Sequence, residues 1–282
     1  MDLILNSRLF KFFVHEEAIV QLSRPLEALM RGGMSESQAG CTVWDDVSKE
    51  TFEQFVQFAY TGDYTVPVPT KNGGETKGEK LGWAGSDRTP YRTTITRSTT
   101  GASGTGTGTS ITVRTTRTGT ILGSRIFKYP DRTSHLRESD FNKLVFPLLA
   151  LRNNYELTCE PREWHNPCQG YSNVLISHAA LYILGDFRLI DSLKALALYK
   201  LHKTLSVFRL STDNLQGVID LVRYIYAEEG GEERSDGEIE ALRGLVCLYL
   251  AINAWMVPLD DRFMELLGEG GQFVKDFFMF KL

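Results

Sequence analysis

The chain has 282 residues, 31 Lys and Arg against 35 Asp and Glu for a net charge of −4, and four cysteines. Its longest apolar run, Leu245 to Ile252, is far too short to span a bilayer. The cysteines Cys41, Cys159, Cys168 and Cys247 are too scattered for a disulfide framework, and the first residues lack the pattern of a secretory leader, so an intracellular protein, cytoplasmic or nuclear, is expected.

Charge is unevenly spread. Residues 1–65 carry five basic and ten acidic groups, whereas residues 66–130 carry ten basic and three acidic ones. The charge break sets off residues 66–130; taken with the resemblance given below, the chain reads as four stretches, 1–65, 66–130, 131–205 and 206–282, and the elements follow in that order.

Leu3-Ile4-Leu5 and Phe10 to Val14, separated by the polar Asn6-Ser7-Arg8, read as a short β-hairpin. From His15 to Met30 the apolar positions Ile19, Leu22, Leu26, Leu29 and Met30 have helical spacing, with Pro25 ending one helix and opening the next and Gly32-Gly33 closing it. Cys41 to Trp44 reads as a strand. Ser48 is the expected N-cap of a strong helix with the apolar stripe Phe52, Phe55, Val56, Ala59 and Tyr60, closed by Thr61-Gly62-Asp63.

The character then changes. Between Thr89 and Thr120 lie fourteen threonines interspersed with glycines, a composition that buries too little apolar surface to offset the entropy of ordering. Residues 66–130 are expected to be a disordered, solubilising insertion. Its arginines, such as Arg114 and Arg117, are thin for a nucleic-acid tract.

Order is expected to resume near Phe141. Leu144 to Leu151, with Pro147, reads as a short strand or irregular packing segment, and Cys159 to Tyr171 as a loop. Val174, Leu175, Ala179, Ala180, Ile183, Leu184 and Phe187 form one helical face, and a second helix from Asp191 carries Leu193, Leu196, Ala197 and Leu201. The turn at Arg188-Leu189-Ile190 folds one back on the other. Further helices are expected after Ser211 or Thr212, after a capping box at Ser235 to Glu238, and from Asp260 to Leu267. The aromatic tail Phe273 to Phe280 is expected to pack inside the chain.

Residues Phe10 to Tyr64 resemble the front half of a BTB/POZ domain in its divergent fungal form. The resemblance rests on Phe13-Val14-His15-Glu16, Leu22-Ser23-Arg24-Pro25-Leu26, Gly32 to Ser37, and Asp45-Asp46-Val47 before Thr51-Phe52-Glu53-Gln54-Phe55 and Tyr60-Thr61-Gly62. Ala180 to Phe187 and Leu193 to His202 resemble the paired helices that complete such a core. What the resemblance implies is an α+β fold: a short N-terminal hairpin and small sheet flanked by helices, interrupted by the insertion and followed by a C-terminal helical extension. It also implies self-association, scaffolding, or bridging of a substrate to a cullin-3 ubiquitin ligase.

Catalytic patterns are incomplete. His15-Glu16-Glu17 lacks a second histidine four positions on, Gly33 to Ser37 lacks the closing glycine of a nucleophile elbow, and Gly101 to Gly108 lacks the Gly-Lys-Ser/Thr of a phosphate loop. Cys159, His165 and Cys168 have no familiar zinc spacing. The expectation is a non-catalytic protein-interaction module with no cofactor, no metal and no membrane, binding a protein, itself or cullin-3 among the candidates; the alternative is chromatin or nucleic-acid binding through the basic insertion, which its thin arginine clusters disfavour. Its candidate contact residues are Met34, Glu36, Phe52, Gln54, Gln57, Phe58 and Tyr64.

Overall fold

A computed structural model describes residues 11–33, 38–39, 41–44, 47–71, 141–146, 169–228, 240–256 and 260–281. Helix α1 (Glu16–Val20) places Glu16 and Glu17 in its first turn, where carboxylates meet the positive helix end, and both bind Arg31 at 2.6 Å. Helix α2 (Arg24–Arg31) starts at Ser23, whose Oγ accepts the Leu26 N–H, with proline in its first turn. Helix α3 (Lys49–Thr61) is capped by Ser48 Oγ, which accepts the Thr51 N–H at 3.1 Å. Gly62 ends it at φ 68°, the left-handed position that glycine takes at least cost.

The stripe of α3 is rotated from the sequence expectation. Thr51, Phe52, Phe55, Phe58 and Ala59 are buried while Tyr60 is half exposed, because Phe58, three residues after Phe55, brings more apolar area to the core face than Tyr60 does. The Tyr60 hydroxyl instead accepts the His15 N–H at 2.7 Å, at the start of α1.

Downstream come α4 (Ser172–Phe187), α5 (Asp191–Val207), α6 (Leu215–Glu228), α7 (Ala241–Asn253), α8 (Asp261–Gly268) and α9 (Gly271–Lys281). Helix α4 is apolar around most of its circumference, as a central helix must be. It packs along α5 and α6 and receives α3, while α7 packs along α9. Helix α7 takes its cap from Glu240, whose carboxylate accepts the Leu242 and Arg243 N–H groups; the expected capping box at Ser235 to Glu238 lies outside the described residues. In the tail, Phe273 and Phe277 are buried and Phe278 is half exposed. One continuous apolar core runs from Val14 through α3 and α4 to Phe277.

The expected sheet is absent among the described residues, where the only strand pairing joins β1 (Thr70–Lys71) to β2 (Gln169–Gly170), antiparallel. The first proposed strand, Leu3 to Leu5, lies outside them. Lys11 to Val14 holds Phe12 and Val14 inward and Phe13 outward, yet joins no ladder among the described residues. Cys41 to Trp44 behaves alike, with Thr42 and Trp44 buried and Val43 exposed. Neither expected strand is paired among the described residues. The inward rings lie on α3: Phe12 is 4.8 Å from Phe52, and Trp44 is 5.6 Å from Phe52 and 5.5 Å from Phe55. Segments this short gain little from a two-stranded ladder, and burying aromatic rings gains more. The α+β class and the resemblance to BTB/POZ domains are therefore overturned: the described fold is helical. The ubiquitin-ligase adaptor role rested on that resemblance alone and is left without support.

Candidate functional site

Two places in this fold carry features that packing alone does not call for. The first is the turn between α4 and α5. Ile190 donates its N–H to Gly185 O at 2.7 Å and Leu189 donates to Asp186 O at 3.1 Å, the paired bonds that close a helix end around one left-handed residue. That residue is Leu189, at φ 53°, the only non-glycine with positive φ among the described residues. A leucine there costs about 1 kcal/mol relative to glycine.

Its side chain recovers little of that cost inside the chain, for Leu189 is 56% exposed and neighbouring Phe187 66% exposed. The turn is nonetheless rigid. Ile190 is fully buried, and Gly185 sits so close to α5 that an added Cβ would come 3.1 Å from Lys194 N and 3.3 Å from Ile190 O. Between the two exposed side chains, the Arg188 guanidinium lies 4.1 Å from the ring centre of buried Trp44 and 4.8 Å from that of Phe187, a stacking that holds both rings. Leu189 and Phe187 thus stand as two exposed apolar side chains on a turn packed from behind.

The second place is a polar seam where the segment after α3 meets α4 and α5. Lys200, 1% exposed, sets its Nζ 2.5 Å from Asp63 Oδ1, donates to Tyr64 O, and lies 4.1 Å from the centre of the Tyr64 ring. The Tyr64 hydroxyl is 2.8 Å from His178 Nδ1, and Thr204 Oγ1 is 3.4 Å from Nε2. Burial, with Lys200 adding its positive charge, holds His178 down at about 3, neutral at ordinary pH. Ser177 donates to Gln54 Oε1 at 2.9 Å. Every bond here joins residues to one another, so the seam fastens the front segment to the body.

The sequence-predicted contact residues fall mostly in this seam and in the core. Phe52 and Phe58 are buried in the core face of α3, and Tyr64 is 2% exposed. Gln54 donates to Thr65 O, and Gln57 Oε1 accepts the Thr65 N–H at 2.8 Å, so these two amides hold the chain after α3. Met34 and Glu36 lie outside the described residues, as do Cys159, His165 and Cys168. Among the described residues no group of His, Cys, Asp and Glu is placed to hold a metal ion. Cys247 is no nucleophile in this state: burial pushes its thiol up to about 12.

Sequence reasoning passed over Leu189, Lys200 and His178. A signal existed for two of them. Lys200 lies seven residues after Leu193 and three after Ala197, on the apolar stripe of α5, and Leu189 stands where a helix-ending glycine is usual. Nothing in the spacing distinguishes His178.

No helix among the described residues is long and apolar enough to cross a membrane. No protein family, curated protein or solved structure matches the chain.

Proposed function

We propose that the chain is a non-catalytic protein-interaction module whose contact surface is the α4–α5 turn. The observation that carries this reading is Leu189: a bulky apolar side chain in a left-handed backbone position, directed to solvent beside Phe187 on a turn fixed from behind by Ile190, Gly185 and Arg188. Strain kept at a rigid, exposed point is compensated when a partner buries that side chain. A preformed turn also loses little entropy on binding. The partner is a second protein chain offering an apolar recess to Leu189 and Phe187.

The test begins with a photo-reactive residue at position 187, which traps the partner covalently. The trapped protein, purified, is then titrated with wild type, with Leu189→Gly, and with Val68→Ser, a change at an 81% exposed valine away from the turn. Leu189→Gly is expected to weaken binding about tenfold or more and Val68→Ser to leave it unchanged. Equal affinities for wild type and Leu189→Gly would contradict the proposal. Steeply salt-dependent binding lost on deletion of residues 88–128 would point instead to recognition of nucleic acid or another acidic surface by the basic tract.

A further inference from the structure

The polar seam is the place where the molecule is best built to open. Helix α4 packs tightly along α5 and α6 and α7 packs on α9, whereas the front segment, residues 11–71, reaches this body through the smaller α3–α4 contact, the Trp44–Arg188 stacking and the two-residue β1–β2 pairing. At the centre of that junction is a buried imidazole held between a front-segment hydroxyl and an α5 hydroxyl.

We propose that the Tyr64–His178–Thr204 contact is an acid-released latch: in mild acid His178 takes up a proton, the front segment lifts from α4 and α5, and the remaining helices stay folded.

The charge environment sets the direction. From the segment after α3, Tyr64 and Asp63 face the site, Asp63 committed to Lys200; from α5 come Lys200 and Thr204; from α3 comes the uncharged Gln54, bonded to Ser177. Helix α6 also packs on α4, but its Asp220 binds Ser172 in the first turn of α4. Among the described residues no carboxylate is placed to neutralise an imidazolium, and the Lys200 ammonium opposes one. In the closed state both ring nitrogens face hydroxyls, an arrangement that suits a neutral ring in either tautomer. A proton is therefore accepted only when the seam opens and water reaches the ring. With the closed ring held at about 3 and an open ring titrating at about 6.5, opening becomes about tenfold more favourable at ~pH 5.5 than at ~pH 7.5.

Amide hydrogen exchange of the full chain at those two pH values, corrected for the intrinsic pH dependence of exchange, reads this directly. Protection in α3 is expected to be lower than in α7 and α9 at both pH values, the mark of an opening short of global unfolding, and to fall about tenfold at the lower pH. In His178→Gln, which keeps hydrogen-bonding capacity without a titrating ring, the α3 difference is expected to vanish. The proposal is overturned if α3 protection does not change, if α3 and α7 are equally protected at both pH values, or if His178→Gln retains the difference. Should that variant fail to fold, the wild-type comparison of α3 with α7 decides alone.

Discussion

At the scale of single residues, the informative positions are those where local preference and position disagree. Leu189 occupies a glycine position, and Leu189→Gly is expected to stabilise the fold by about 1 kcal/mol, measured as a rise in ΔG from urea denaturation. A change that strengthens the fold while weakening binding separates a functional side chain from a structural one. Lys200 and Asp63 disagree with their surroundings in a different way. Lys200 is 1% exposed at its side chain but Asp63 is 20% exposed, so the two ends of this ion pair are not equivalent. Asp63→Asn strands a buried ammonium and is expected to cost about 3 kcal/mol, whereas Lys200→Met leaves a carboxylate that water still reaches and costs less. Denaturation midpoints of the two variants check the order. If Lys200→Met proved the more damaging, the desolvation argument would be wrong. Lys200 was legible as a stripe position, yet its charge masked its burial, because lysine is almost never fully buried unless paired and the partner is distant in sequence.

Helices were the most legible elements, and their ends more so than their faces. Ser48 caps α3 as expected, and Ser23 and Asp260 cap α2 and α8 with the same kind of side chain. Pro25 separates α1 from α2 as proline should. Spacing was less reliable on α3, where several aromatic residues compete for one face and only the packing of Trp44 and Phe12 decides which side turns inward. The α4–α5 pair offers the sharpest test at this scale. At Gly185 an added methyl would meet the Lys194 backbone nitrogen and the Ile190 carbonyl, neither of which moves without parting the helices. Gly185→Ala is therefore expected to destabilise by about 2 kcal/mol despite its better helix propensity, while Gly268→Ala, with open space around its Cβ position, is expected to be neutral or mildly stabilising. Thermal unfolding of the two variants distinguishes packing from propensity.

At the scale of the molecule, the described residues on both sides of the threonine-rich tract share one core, joined by contacts more than a hundred residues apart in sequence such as Tyr64 with His178 and Lys200 with Asp63. Apolar stripes could announce that cores exist but not which stripes meet. Fold class failed at the sequence level for a related reason: Phe12-Phe13-Val14 and Thr42-Val43-Trp44 alternate as strands do, and whether such segments pair with each other or lie on a helix is a tertiary decision. Titration is also a property of the whole fold. Burial holds His178 at about 3 and His202 at about 4, both below the value of an unfolded histidine, so the unfolded chain binds more protons and stability must fall as pH falls. The loss begins near pH ~6.5 and reaches about 4 kcal/mol for the two groups together at ~pH 5. Urea denaturation at neutral and acidic pH is expected to show this drop, reduced by about half in His202→Gln. The helical fold itself is tested most directly by nuclear Overhauser contacts in solution. We expect contacts between the rings of Tyr64 and His178 and between Trp44 and both Phe52 and Phe55, with no Hα–Hα contacts pairing residues 11–14 with 41–44. Strand-pairing contacts between those two segments, with the Tyr64–His178 contact missing, would contradict the account.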